Sequence, residues 1–148
     1  MTENIITTDN PLTAAQQATL SGILSVLIPA DERRGLQSAN ELDLVVYINE
    51  QSPEFVPALI QILETFDDQF AALAESERHQ LVDEYSKSQS DLFNALLFHT
   101  FACYYQDDRV LEAIGMNADP PFPRGNEIES GDLSLLDPVL KRPRLYRT

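Results

Sequence analysis

Apolar residues return at every third or fourth position along most of this chain, and almost nowhere at every second. From Phe55 the series runs through Leu59, Ile62, Leu63, Phe66, Phe70 and Leu73, a spacing that lays one apolar stripe along a helix. Leu20, Ile23, Leu24, Leu27 and Ile28 repeat the pattern nearer the start. A strand needs alternation of period two with turn-linked partners, and no segment shows it. The period therefore predicts an all-α fold.

Start and stop signals divide the pattern. Thr13 with Gln16 forms a capping box ahead of a helix that Pro29 ends, since a side-chain oxygen can take a free N–H of the first turn. Ser38 with Glu41 is a second capping box, opening "SANELDLVVYINEQ". Ser52 before Pro53 marks a third start, because proline suits the first helical position. That helix is expected to reach about Ala74, with Pro57 tolerated in its first turn. Ser76 opens a more polar helix, "SERHQLVDEYSKSQ". The next, "SDLFNALLFHTFACYYQ", is apolar around most of its circumference, which predicts a central helix covered by the others. Asp107 or Asp108 then caps the short "RVLEAI", which Gly115 closes in the left-handed conformation. The expectation is a compact bundle of about five to six helices over residues 1–116. An extended, proline-rich C-terminal arm follows over residues 117–148, with a turn at "LSLLDPVL".

Charge narrows the range of partners. The net charge of −14 argues against nucleic acid and anionic membrane, both of which would be repelled. All 24 Asp and Glu precede residue 141, whereas the last eight residues, "KRPRLYRT", carry four cations and no acid. No apolar run approaches the ~20 residues of a membrane span. One cysteine, Cys103, makes no internal disulfide, so nothing calls for an oxidising compartment. The start, "MTENIITTDNP", lacks the positive and apolar regions of a secretion signal. A soluble cytoplasmic protein is the resulting expectation.

Reactive motifs are scarce. No dinucleotide G-x-G-x-x-G, phosphate loop or G-x-S-x-G elbow occurs. His99 and Cys103 share a helix face, but two ligands make no metal site, and a buried thiol beside a satisfied histidine is the simpler reading. His79 has no Glu-x-x-His context. The acidic groups Glu64/Asp67/Asp68, Asp83/Glu84 and Asp107/Asp108 read as solvated faces and caps. Catalytic, cofactor-binding and metal residues are all expected to be none.

Two stretches carry a family resemblance. "LTAAQQATLSGILSVLIPADE", with its helix ending in Leu27-Ile28-Pro29-Ala30-Asp31, is one. "FACYYQDDRVLEAIGMNADPP", with Tyr104-Tyr105, Asp108-Arg109-Val110 and the Gly115 stop, is the other. In this order they resemble the gluconate 2-dehydrogenase subunit 3 family over roughly residues 12–125. The resemblance implies a non-catalytic small subunit that binds and stabilises a large FAD-dependent sugar or alcohol dehydrogenase of the glucose–methanol–choline type. FAD would sit in that partner, a cytochrome c subunit often takes the electrons, and many members assist the partner's export. Members commonly begin with a twin-arginine signal and this chain does not. That points to a cytoplasmic complex, or to a periplasmic one carried by the partner's signal.

The C-terminal arm is the expected contact strip. Ordering its roughly thirty residues costs tens of kcal/mol at about 1–2 kcal/mol each. Its many apolar groups must therefore cover something, either the chain's own helices or the partner. Pro120, Pro121, Phe122, Leu136, Lys141, Arg142, Arg144, Leu145 and Tyr146 are the candidate partner-binding residues. A free-standing acidic helical regulator or scaffold is the alternative reading.

Overall fold

The computed structural model of the chain describes residues 10–66, 69–116, 118 and 131–142. The chain divides into two units, residues 1–118 and 119–148. The fold is all-α, and its one extended feature among the described residues is an isolated antiparallel bridge between Asp31 and Leu36.

The first unit holds α1 (Ala14–Leu27), α2 (Leu44–Gln51), α3 (Val56–Glu64), α4 (Glu75–Ser88), α5 (Ser90–Tyr104) and α6 (Asp108–Ala113). Short 3-10 turns at Ala39–Glu41, Pro53–Phe55 and Phe70–Ala72 lie between them. The Thr13 box is formed as expected: Gln16 N–H donates to Thr13 Oγ1 at 3.2 Å, and Thr13 N–H to Gln16 Oε1 at 2.9 Å. The left-handed stop is also present, with Gly115 at φ +79° and the Met116 N–H donating to the Leu111 carbonyl at 2.8 Å. That six-residue closure is the bond of a Schellman cap.

Three boundaries differ from expectation, each for a local reason. The Ser38–Glu41 box opens only a 3-10 turn. The α-helix proper begins at Leu44, where the Asp43 carboxylate accepts from Val46 N–H at 3.2 Å. The polar helix begins at Glu75 rather than Ser76, with the Glu77 carboxylate accepting the Ala74 N–H. The long helix expected from Pro53 to Ala74 ends at Glu64. There the Thr65 and Phe66 amides donate to the carbonyls three residues back, both at 3.2 Å, and this tighter turn closes the helix. Phe66 and Phe70 keep the apolar period from separate elements, because both reach one cluster. Their rings lie 4.8 Å apart, and Phe66 is 5.2 Å from Tyr85.

Helix α1 is the hub. It lies against α3, α4 and the 3-10 turns at 39–41 and 70–72, while α5 packs on α2, α3 and α4. Ile23, Ile48, Leu59, Ile62, Phe70, Leu96 and Val110 are wholly buried where these elements meet. The expectation that α5 is covered on all sides fails. Leu96, His99, Thr100 and Tyr104 are buried and Leu92, Phe93, Ala95 and Cys103 pack partly on the core, while Phe98 and Phe101 stay exposed.

The second unit is described over residues 131–142. A 3-10 turn at Leu133–Leu136, capped by the Asp132 carboxylate, runs into α7 (Asp137–Leu140). This is the turn expected at "LSLLDPVL".

Phe70→Ala should cost about 3–5 kcal/mol, the range for truncating a wholly buried aromatic ring. Urea denaturation followed by circular dichroism measures it, with the helical signal of the folded state expected to persist.

Candidate functional site

Phe98 and Phe101 on α5, with Tyr105 capping its end, stand within about 60° of arc at the helical 100° per residue. They are 67%, 41% and 52% exposed. The Phe101 and Tyr105 rings lie 6.3 Å apart, so the lower part of the stripe is a continuous aromatic surface. Asp91 and Asn94, on the same sector toward the helix start, are exposed polar residues. Ile114 and Met116, at the end of α6, are also exposed. Large exposed aromatic side chains are the kind of group that interaction surfaces use, because they supply much contact area for little lost freedom.

The helix beneath this stripe is held by a polar corner. The buried Tyr104 hydroxyl donates to the Gln37 carbonyl at 2.8 Å, while the Gln37 side-chain amide donates to Asp107 Oδ1 at 3.0 Å. Asp107 also caps α6, accepting the Arg109 N–H at 3.0 Å and the Val110 N–H at 3.4 Å. The Arg109 guanidinium grips both its oxygens at 3.3 Å. Partial burial pushes the Asp107 pKa upward, but Arg109 and the two backbone N–H groups outweigh it and hold the carboxylate below its ordinary range. Burial raises the Tyr104 pKa, with Tyr105, Asp107 and Glu41 adding to the effect, so the hydroxyl stays a donor.

This corner joins the hairpin after α1 to the end of α5 and the start of α6. The segment after α1 folds back at Gly35, whose φ of +66° favours a residue without Cβ. The bridge between Asp31 and Leu36, with backbone bonds of 2.8 and 3.0 Å, then delivers Gln37 to Tyr104 and Asp107. No local pattern announces such a long-range tie.

His99 departs from the satisfied histidine expected of it. Its Nδ1 is buried with no hydrogen-bond partner among the described residues. Its ring stacks on Phe55 at 4.3 Å and meets the Phe98 edge at 5.4 Å. Burial lowers its pKa, with the nearby Glu54 charge acting in the other direction. Cys103 is partly buried, and its pKa rises to about 11 through burial, then Asp107 and Asp43. It is a neutral thiol and a poor nucleophile or ligand at neutral pH.

The acidic groups take the roles expected of them where they are described. Asp83 pairs with Lys87 at 2.6 Å, Glu84 accepts from Gln80 at 3.0 Å, and Asp107 caps α6. Asp67 and Asp68 lie outside the described residues. No group of three or more His, Cys, Asp or Glu is placed to hold a metal among the described residues. No helix among them is long and apolar enough to cross a membrane.

Of the candidate contact residues in the arm, Leu136, Lys141 and Arg142 are described, and all three are exposed. Pro120, Pro121, Phe122, Arg144, Leu145 and Tyr146 lie outside the described residues. Sequence reasoning missed the aromatic stripe of α5. Its apolar circumference was visible, but nothing local shows which sector the neighbouring helices leave open.

Comparison with protein-family models, with curated proteins and with solved structures finds no match to this chain.

Asp107→Ala should cost about 2 kcal/mol, combining a lost helix cap with lost bonds to a charged acceptor. Tyr104→Phe should cost about 1 kcal/mol. Urea melts of each variant measure both. Because the folded pKa of His99 lies below its ordinary 6.5, the unfolded chain binds the proton more readily. The stabilising contribution is complete above pH ~6.5 and is lost as pH falls below it. The urea midpoint should therefore drop as pH falls from 7 through the ordinary histidine range, and this drop should shrink in His99→Phe.

Proposed function

We propose that this chain is a non-catalytic small subunit whose α5 aromatic face seats on a larger protein. That partner is the large subunit of an FAD-dependent sugar or alcohol dehydrogenase. The exposed stripe of Phe98, Phe101 and Tyr105 carries the reading. Such rings in water forgo about 1.5–3 kcal/mol each of burial, and a covering partner would recover it. Interfaces of this kind rest on a few aromatic anchors near their centre. The choice of partner is supported by the resemblance of "LSVLIPADE" and "FACYYQDDRVLEAIG" to the subunit family.

In this reading the small subunit contributes surface and stability, while FAD and the oxidation chemistry belong to the partner. Electrons pass onward through an acceptor such as a cytochrome c without entering this chain. The complex works in the cytoplasm or travels across a membrane on the partner's export signal. The basic end of the chain supplies a second contact on an acidic part of the partner.

The test is co-purification from the native cell with a tagged chain. The wild type should bring down a yellow flavoprotein. Phe98→Ser combined with Phe101→Ser should lose at least about 90% of it, as removing two anchors at ~2 kcal/mol each implies. The urea midpoint should fall modestly while the fold persists, because Phe98 is 67% exposed and Phe101 is 41% exposed. Truncation after Gly125 forms the second arm and reads the contribution of the C-terminal segment. Undiminished recovery of the flavoprotein by the Phe98/Phe101 variant would remove α5 from the interface.

A further inference from the structure

We infer that the cleft between the end of α1 and the start of α4 is a carboxylate-binding site, with Arg78 as the group that holds the ligand. The cleft encloses about 250 Å³ and is lined by Ser25, Pro29, Ala30, Ser38, Asn40, Glu75 and Arg78. Arg78 is half-buried, and its Nε is shut away from water with no hydrogen-bond partner among the described residues. Its one recorded bond is a long one, Nη1 to Ser25 Oγ at 3.4 Å. That oxygen can only accept it, since the Ser25 hydroxyl donates to the Gly22 carbonyl at 2.8 Å.

A guanidinium has five N–H donors, and leaving them unmet away from water is costly. This is a chain with 24 acidic residues, yet among the described residues no carboxylate pairs with Arg78. The two acids of the first turn of α4 point elsewhere. Glu77 accepts from the Ala74 N–H at 3.1 Å. Glu75, at the rim, lies 3.8 Å from His79 and is 76% exposed. Among the described residues Arg34, Lys87 and Arg109 have acidic partners, while Arg33, Lys141 and Arg142 stand in water. Arg78 alone combines partial burial with the lack of an acid.

The ligand class follows from shape and charge. A planar carboxylate matches the guanidinium fork with two parallel bonds. Pro29 and Ala30 offer an apolar wall for the carbon attached to it. The fourteen-residue α4 adds the positive end of its dipole. A phosphate dianion is disfavoured, because a single cation faces it within a chain of net charge −14. The same chemistry is supplied by a small free acid or by an Asp or Glu side chain of another protein. Neither source depends on the flavoprotein reading.

Nitrogen-15 NMR of the full chain, observing the Arg78 Nε–H resonance, tests the site. Sodium acetate and the blocked peptide acetyl-Gly-Glu-Gly-amide are titrated separately, with chloride holding ionic strength constant. A saturable shift with acetate assigns a free-acid site, and one with the peptide alone assigns a protein-borne carboxylate. Arg78→Lys, which keeps the charge and the fold, should bind about tenfold more weakly when followed through the Asn40 side-chain amide, having lost one of two bonds. No saturable shift with either probe overturns the site. An equal response to inorganic phosphate overturns the carboxylate assignment.

Discussion

At Gly22 the Phe70 ring approaches to 3.1 Å from where a Cβ would stand, and the Arg78 guanidinium to 3.6 Å. The gap in the side of α1 therefore admits two bulky groups from two other segments. Phe70 closes the core, and its 3-10 turn is held against α1. Arg78 crosses the same spot from α4 and is carried into the cleft beside Ser25. A hub helix with a methyl group there would have to push one of them aside. The neighbouring helices meet α1 closely because of this absence, and much of the bundle's arrangement follows from it.

The second organising element is polar. Tyr104, Asp107 and Gln37 join the hairpin after α1 to the end of α5 and the start of α6. Asp107 does several jobs at once, as cap for α6, acceptor for Gln37 and partner for Arg109. Each bond alone is modest, but a network on one carboxylate fixes direction as well as energy. It sets the rotation of the last turn of α5, and with it the outward aim of Tyr105. The perpendicular contact of the Tyr104 and Tyr105 rings at 5.3 Å shows how near the buried and presented sides of that helix are. Surface presentation and internal order share one pair of adjacent residues.

Helix existence and most starts were legible along the chain. Thr13 and Gln16 show their pairing in three residues of spacing, and Gly115 declares its own left-handed turn. Such signals are local, so a linear reading recovers them. The break after Glu64 was hidden because Phe66 and Phe70 keep helical spacing while belonging to different pieces. Apolar period reports which residues seek the core, not whether the backbone between them is continuous. Likewise, α5 reads as apolar all round, but being apolar does not make a face covered. The unpartnered Nδ1 of His99 was equally invisible, because Phe55 and Tyr47, which crowd its ring, come from distant segments.

By itself, the order of residues determined the all-α class, the capped helix starts, the acidic body and the concentration of positive charge at the end. These depend on backbone propensity, short-range bonds and simple charge, which need no distant partner. Tertiary structure alone decided that α1 is the hub, that Phe98, Phe101 and Tyr105 keep exposed faces, and that Arg78 meets no acid among the described residues. Those outcomes depend on which surfaces remain after every helix has found its neighbours, and that is a property of the whole packing rather than of any segment.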